Sequence, residues 1–476
     1  MTADHASAAD LAAVAALERA LPYAEDWLAY RAWFQRIPGI QYAVSFDGRV
    51  RLSGAWGLAD LESRTPLTTS HLFRIASHSK TFTGTAILQL VEDGRVRLDA
   101  PVADYVPELA DAPSGIGRVT VRAMLENGGG VIRDGLDGDF WQHAHPFPDE
   151  AELLAMVRDH GVKFVQDASF NYSNIGFSLL GVVIARASGQ SYHDYVRARI
   201  IEPLGLTRTF PDYHLAPAGE HASAHTGLAT SRERWRIPHV DTGGMSSATG
   251  FTSTAEDLVR YISAHRVGSG ELLSDASKNA QQRTLWTDAD GTSYGLGMMV
   301  EEFAGRRIIG HGGGYPGHIT RTCLDTTDGI AVSVLTNAVD GPAEQLAHGV
   351  IRILDAALAR PERRLRPSAP LPDDTSRFEG RFASFFSVTD IVRLGDRLLA
   401  LDPTGADPLH GPTELEVVDD GALRPTAGSG YYSVGETYPY QFDADGRAVS
   451  MRGASRMTMW RFDPEADFTP PYPTAY

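Results

Sequence analysis

Between Arg360 and Asp374 the chain carries four prolines, Pro361, Pro367, Pro370 and Pro372. Proline lacks a backbone N–H and clashes with the preceding turn, so neither a helix nor a central strand runs through such a stretch. The chain therefore divides into residues 1–360, a linker at 361–374, and a C-terminal module at 375–476. The patterning on the two sides differs. Beyond the linker, short alternating segments at 390–394, 397–401, 438–442 and 456–462 are separated by turns such as Asp445-Gly446. That pattern predicts an all-β module, a small antiparallel barrel.

Before the linker, helical and extended patterns mix. Leu11, Val14, Leu17 and Leu21 recur at helical spacing, predicting a helix over 8–36. Residues 40–46 alternate up to Asp47-Gly48, the strongest short hairpin signal, and 49–52 follow as the second strand. Helices are expected at 81–92, 119–127, 150–159, 175–187 and 343–359. Thr252 to Asp257 has N-cap chemistry before a helix ending near Ala264. Strands are expected at 306–309, running into Gly310-His311-Gly312-Gly313-Gly314, and at 330–337.

The formal net charge is −17 over 476 residues. This argues against a nucleic-acid partner or an anionic membrane surface. A single cysteine, Cys323, excludes an internal disulfide. The first residues lack a basic segment followed by an apolar run, and no apolar stretch is long enough to span a bilayer. A cytoplasmic location is the expectation. His221-x-x-x-His225 and His143-x-His145 have metal-like spacing but no clear third ligand. Neither a metal nor another cofactor is expected.

Ser77-x-x-Lys80 carries the chemistry. On a helix, residues three apart share a face, so hydroxyl and amine point the same way. Serine needs a neighbouring base, and a buried lysine can lose its proton to become one. Lysine occurs only at Lys80, Lys163 and Lys278 in a chain whose other basic residues are arginine. Arginine does not deprotonate in a protein, so a lysine beside this serine is informative.

Two further segments join it: Tyr172-x-Asn174 in a polar turn before an apolar helix, and His311-x-Gly313 on the glycine-ended strand. In this order they resemble the serine β-lactamase and penicillin-binding superfamily, specifically its class C-like branch of esterases, D-aminopeptidases and D-peptidases. Leu98 to Val102, Gly250 to Leu258 and Tyr294-Gly295-Leu296-Gly297 extend the resemblance over roughly residues 38 to 355. It implies an α+β fold: an antiparallel sheet flanked by helices, with an all-helical lobe and the site between them. The module at 375–476 is similar to the lipocalin-like barrel appended to D-aminopeptidase-like members. Two roles are open for it, narrowing the site mouth or mediating a homodimer.

The resemblance implies roles as well. Ser77 would be the acylated nucleophile and Tyr172 a general base that later donates to the leaving group. A free phenol titrates near pH 10, so a nearby cation would have to lower its pKa. Lys80 would hold Tyr172 deprotonated, or itself take the serine proton. Asn174 would orient Lys80 and the substrate amide. The N–H groups of Ser77 and Gly314 would form the oxyanion hole, each worth about 3–4 kcal/mol. In the third segment many relatives carry Lys-Thr-Gly, whereas this chain has His311-Gly312-Gly313. A histidine, mostly neutral at pH 7, weakens the demand for a substrate carboxylate. Where relatives often read Leu-Leu-Thr-His-Thr-Ser-Gly, this chain reads Met124 to Gly130 as Met-Leu-Glu-Asn-Gly-Gly-Gly, a loop expected to border the site. The expected activity is hydrolysis of an amide or ester of a small molecule or short peptide. A non-catalytic penicillin- or peptide-binding sensor, an acyltransferase and a weak β-lactamase are the alternatives.

Overall fold

The computed structural model describes residues 8–229, 231–287, 291, 293–358, 371–384, 387–427, 435–453 and 457–464. Most of the expected linker, 361–370, lies outside the described residues. The chain forms two compact units, Ile37–Ala347 and Met1–Arg36 with His348–Tyr476.

The first unit is built on a nine-stranded antiparallel sheet. The hairpin at Asp47-Gly48 forms as expected, joining Gly39–Phe46 to Arg49–Asp60. Gly39–Phe46 pairs on its other side with Ile330–Thr336, which is buried along its whole length. The sheet continues through His318–Asp325 and Arg306–Tyr315 to Met299–Phe303. Met299–Phe303 pairs with Arg306–Gly310 and stops there. Beyond Gly310 the outer edge of Arg306–Tyr315 has no strand partner among the described residues, so it can face another element.

That element is the chain around Ser77. Phe73–Arg74 pairs with Thr252–Ser253, a tight turn follows at Ala76–His78, and the helix Ser79–Glu92 begins. This helix is buried from Ser79 to Leu90 and sits beside Asn174–Ser188, whose first eleven residues are all buried. With Val121–Leu125 and Glu150–His160 these form the helical lobe. Local chemistry sets the helix starts: Ser173 Oγ accepts from Gly176 N, Thr254 caps Ala255–Ser263, and Asp149 with Glu152 makes a reciprocal capping box.

The second unit contains a closed eight-stranded antiparallel barrel running from Gly380–Ala383 to Thr458–Arg461, which pair to complete it. Phe382, Leu398, Leu415, Leu423 and Met451 fill its interior. The long helix Ala8–Phe34 packs on this barrel through Arg381. The Arg381 guanidinium is bidentate to buried Asp390 at 2.8 Å on both arms, meets Asp26 at 2.8 Å, and stacks 4.1 Å from the Tyr30 ring centroid. Tyr23 adds an O–H···O bond to Asp390 at 3.1 Å. Removing one partner of a buried ion pair strands the other, at a cost of about 3–5 kcal/mol. Arg381→Ala should therefore lower the unfolding free energy of this unit by that amount, read as a fall in its denaturation midpoint. Arg381→Met with Asp390→Leu, which leaves no stranded charge, should cost far less.

Candidate active site

From Leu72 to Leu90 every residue is buried except Ser77. Several contacts fix the turn that presents it. Ile75 N donates to Phe251 O at 2.9 Å, and Arg74 N donates to His318 Nδ1 at 2.8 Å. The buried Arg74 guanidinium donates to Val240 O, pairs with Asp212, and lies 4.2 Å from the Tyr315 ring centroid. Ala76 has φ of +45°, a left-handed conformation that costs a residue with a Cβ of order 1 kcal/mol or more. His78 is neutral, because burial pulls its pKa down to about 3, and it bridges Ile75 O and Thr322 Oγ1.

Lys80 is fully buried beneath Ser77. Its Nζ lies 3.1 Å from Ser77 Oγ, 2.6 Å from Asn174 Oδ1 and 2.9 Å from Ala248 O. Burial pushes its pKa well below the usual lysine value; the Asp134 carboxylate opposes this and the Arg133 guanidinium adds to it. Asn174 is committed at both ends of its amide, since Nδ2 donates to Asp134 Oδ1 at 2.6 Å. It therefore orients Lys80 through Oδ1, and Nδ2 keeps a second N–H beyond the one given to Asp134.

Tyr172 is half-buried at the cavity wall and hydrogen-bonded to Ser77. Lys80 Nζ stands 4.8 Å from its ring centroid and the Arg133 guanidinium carbon 5.2 Å. The expectation of a lowered pKa does not hold here. Burial of the phenol raises it, and this outweighs the opposing effects of the Ser77 hydrogen bond and Arg133.

The glycine-ended strand closes the opposite wall. His311 is buried; its Nδ1 donates to Gly312 O at 2.6 Å, so Nε2 is the acceptor for the Tyr294 hydroxyl at 3.1 Å. Burial holds its pKa well below the ordinary histidine value, with the Lys80 charge acting the same way. Gly312 and Gly314 line the cavity. Gly313 does not. A Cβ there would fall 2.2 Å from Ile75 O and 2.4 Å from Thr320 Oγ1, so its bare backbone lets the strand press on the Ser77 turn.

Ser77, Tyr172, Asn174 and His311 thus converge on one cavity of about 670 Å3. Sequence reasoning missed Arg133, Asp134, Trp141, Glu301 and Glu344, which also line it. Asp134 lies four residues past a glycine run, where no spacing rule singles out a carboxylate. The segment Met124 to Gly130 stands behind the site instead of bordering it. Asn127 accepts from Ser173 N and Asn171 N, steadying the Tyr172 turn from outside. The histidine pairs do not converge either: His221 Nε2 meets Thr252 Oγ1, and His225 Nδ1 meets Asn337 O.

The Beta-lactamase family model matches residues 14–356 of this sequence. The chain belongs to that family. Among curated relatives, a penicillin-binding protein 4 of Amycolatopsis lactamdurans is 27% identical over 73% of this chain and 93% of its own length. A D-aminopeptidase of Brucella anthropi is 29% identical over 59% of this chain, but the match spans only 52% of that enzyme. A solved D-stereospecific amidohydrolase from Streptomyces sp. is similar with a TM-score of 0.58, at 27% identity, covering 71% of this chain and 97% of that one. No helix among the described residues is long and apolar enough to cross a membrane.

Asp134 holds the Asn174 amide, and Asn174 in turn holds Lys80. Asp134→Ala should slow covalent labelling of Ser77 by a fluorophosphonate about tenfold, the effect of losing one well-placed charge-assisted hydrogen bond. Circular dichroism should be unchanged, and the loss should appear in the labelling rate.

Proposed function

We propose that this protein is a serine hydrolase that cleaves the amide bond of a small substrate through an acyl-enzyme on Ser77. The observation that carries this reading is the environment of the Lys80 amine. A neutral amine has two N–H donors and one lone pair. Asn174 Oδ1 and Ala248 O are acceptors only and make the two shorter contacts, at 2.6 and 2.9 Å. They take the two N–H bonds, leaving the lone pair for the Ser77 O–H at 3.1 Å. Burial favours the neutral amine, so Lys80 is poised as general base.

In this scheme Ser77 Oγ attacks the amide carbon as its proton passes to Lys80 Nζ. The N–H groups of Ser77 and Gly314 receive the oxyanion. Collapse breaks the C–N bond. Tyr172, kept protonated by burial, donates its O–H to the departing nitrogen and is reprotonated from the Lys80 ammonium. Water then attacks the acyl-enzyme with Lys80 again as base. Of the two roles open for Lys80, the pKa directions favour proton acceptor over partner of a phenolate. A protonated phenol beside the nucleophile suits a poor leaving group such as an amine, which supports an amide over an ester. The named activities of the aminopeptidase and amidohydrolase relatives support an amide of D configuration. Neutral His311 gives the site no cation to demand a substrate carboxylate.

Fluorophosphonate labelling followed by intact mass tests the scheme. Ser77→Ala should abolish labelling and turnover. Lys80→Arg keeps the charge but not the basicity, and should reduce kcat at least about a hundredfold. Near-normal turnover in Lys80→Arg would overturn the assignment.

The pH dependence carries a sign. The active form is the neutral amine, so acylation should rise with pH, with an apparent pKa well below that of free lysine. Arg133 lowers the Lys80 pKa, so Arg133→Gln should shift this limb to higher pH. Tyr172→Phe should preserve the limb. Its disappearance in that variant would make the phenolate the base.

A further inference from the structure

The eight-stranded barrel is packed unevenly. Phe378, Phe382, Tyr440 and Phe442 plug one end, with ring centroids 5.2, 5.6, 5.9 and 6.1 Å apart. Pairing register accounts for the space at the other. Leu398 and Leu415 are direct partners on neighbouring strands. Two residues further along, on the same face, Ala400 stands between Ile391 and Thr413. An alanine and a threonine thus follow two leucines, and a cavity of about 170 Å3 opens against them. Its other wall is sulfur. Met451 and Met459 are direct partners, on strands four places round the eight-stranded barrel from the strand of Ala400. Met457, two residues before Met459, falls on the same face. These three of the chain's nine methionines all line the one cavity. Met457 is exposed, as are Ser387, Asp402 and His410, so these residues mark the mouth.

We propose that this cavity is a binding site for a neutral, single-ring aromatic molecule carrying one hydrogen-bonding group. It shares no lining residue with the cavity of Ser77 and does not depend on the acyl-enzyme chemistry. Size selects the ring: an apolar cavity of about 150 Å3 accepts one benzene. A long alkyl chain would run into the aromatic plug. Thioethers are polarizable and adaptable, and they favour an aromatic ring at about 5 Å. Tyr438 adds a ring of the protein's own to the wall. The polar substituent would lie at the mouth, within the ring of Ser387, Asp402 and His410. A carboxylate there would meet Asp402 as a like charge. Thioethers also hold soft cations. One ion fills little of this space, however, and the facing wall of Ile391 and Ala400 offers it no ligand.

The test is a titration of the full chain, labelled with 13C in its methionine methyl groups, with p-cresol as the probe. Single substitutions to leucine assign the three methyl resonances. Those of Met451, Met457 and Met459 should move together and saturate, with half-saturation at about 1 mM, an ordinary affinity for so small a ligand. Met299 lines the cavity of Ser77, and its methyl should stay in place. Ala400→Leu puts a side chain into the space and should raise the half-saturation concentration at least about tenfold. Thr413→Leu, on the next strand, should do the same, and the spread of the remaining methyl resonances shows whether each variant is folded. No saturable movement up to about 10 mM would overturn the proposal. So would movement of Met299 in place of the three, tighter binding of decanoate than of p-cresol, or binding that survives both substitutions in folded protein. Movement caused by silver(I) but not by p-cresol would also overturn it and make this a soft-cation site.

Discussion

Burial of the Lys80 amine organises what surrounds it. An ammonium in that position would have to be solvated by the protein alone, and the side chain therefore sheds its proton preference. Two carbonyl oxygens then fix where its hydrogens point. The carbonyl of Ala248 comes from backbone between Ser246 and Thr249, and that of Asn174 from the first turn of a buried helix. Two helices distant in sequence thus meet at one nitrogen. Asp134 extends the arrangement by fixing which way the Asn174 amide faces. A flipped amide would turn an N–H toward Lys80, so the geometry depends on a residue that does not touch Ser77's partner directly.

The third segment shows how close approach is achieved in a sheet. Strand pairing by Met299–Phe303 ends opposite Gly310, which frees the edge of the next residues. Gly313 then admits the Ile75 carbonyl into the space a side chain would occupy. The left-handed Ala76 turns the chain so that Ser77 alone, in a buried run of nineteen residues from Leu72 to Leu90, opens onto the cavity. Strain at the turn is held by Arg74, whose guanidinium, backbone N–H and ring contacts tie it to three separate stretches of chain.

Much of this was legible in the sequence because it is local. Ser77 and Lys80 are one turn apart, the Asp-Gly hairpin is a two-residue signal, and Ser173 and Thr254 cap the helices that follow them. The elements that escaped are those defined by distant partners. Lysine scarcity pointed to Lys80, but Lys278 is equally buried and merely satisfies Ser269 and the Arg266 carbonyl. Only the tertiary surroundings separate the two. The Tyr172 pKa went the other way because desolvation of the phenol outweighs the cations beside it, and burial cannot be read from Tyr-x-Asn. Glu301 and Glu344 reach the cavity from the sheet and a late helix, with nothing in their spacing from Ser77 to connect them.

The helix Ala8–Phe34 depends on residues at the far end of the chain, through Asp26 with Arg381 and Tyr23 with Asp390. Within the same unit Trp27 also packs where a Cβ on Gly349 would stand 2.1 Å away. This has a consequence for synthesis. The helix is made about 350 residues before Arg381 and Asp390, so it waits for roughly 20–70 s at about 5–20 residues per second. Until Gly349 is made Trp27 lacks the backbone it packs against, while the unit from Ile37 to Ala347 already has every one of its strands. This helix is therefore among the later parts to reach its native place, and its apolar face is a natural target for a chaperone that meets the nascent protein.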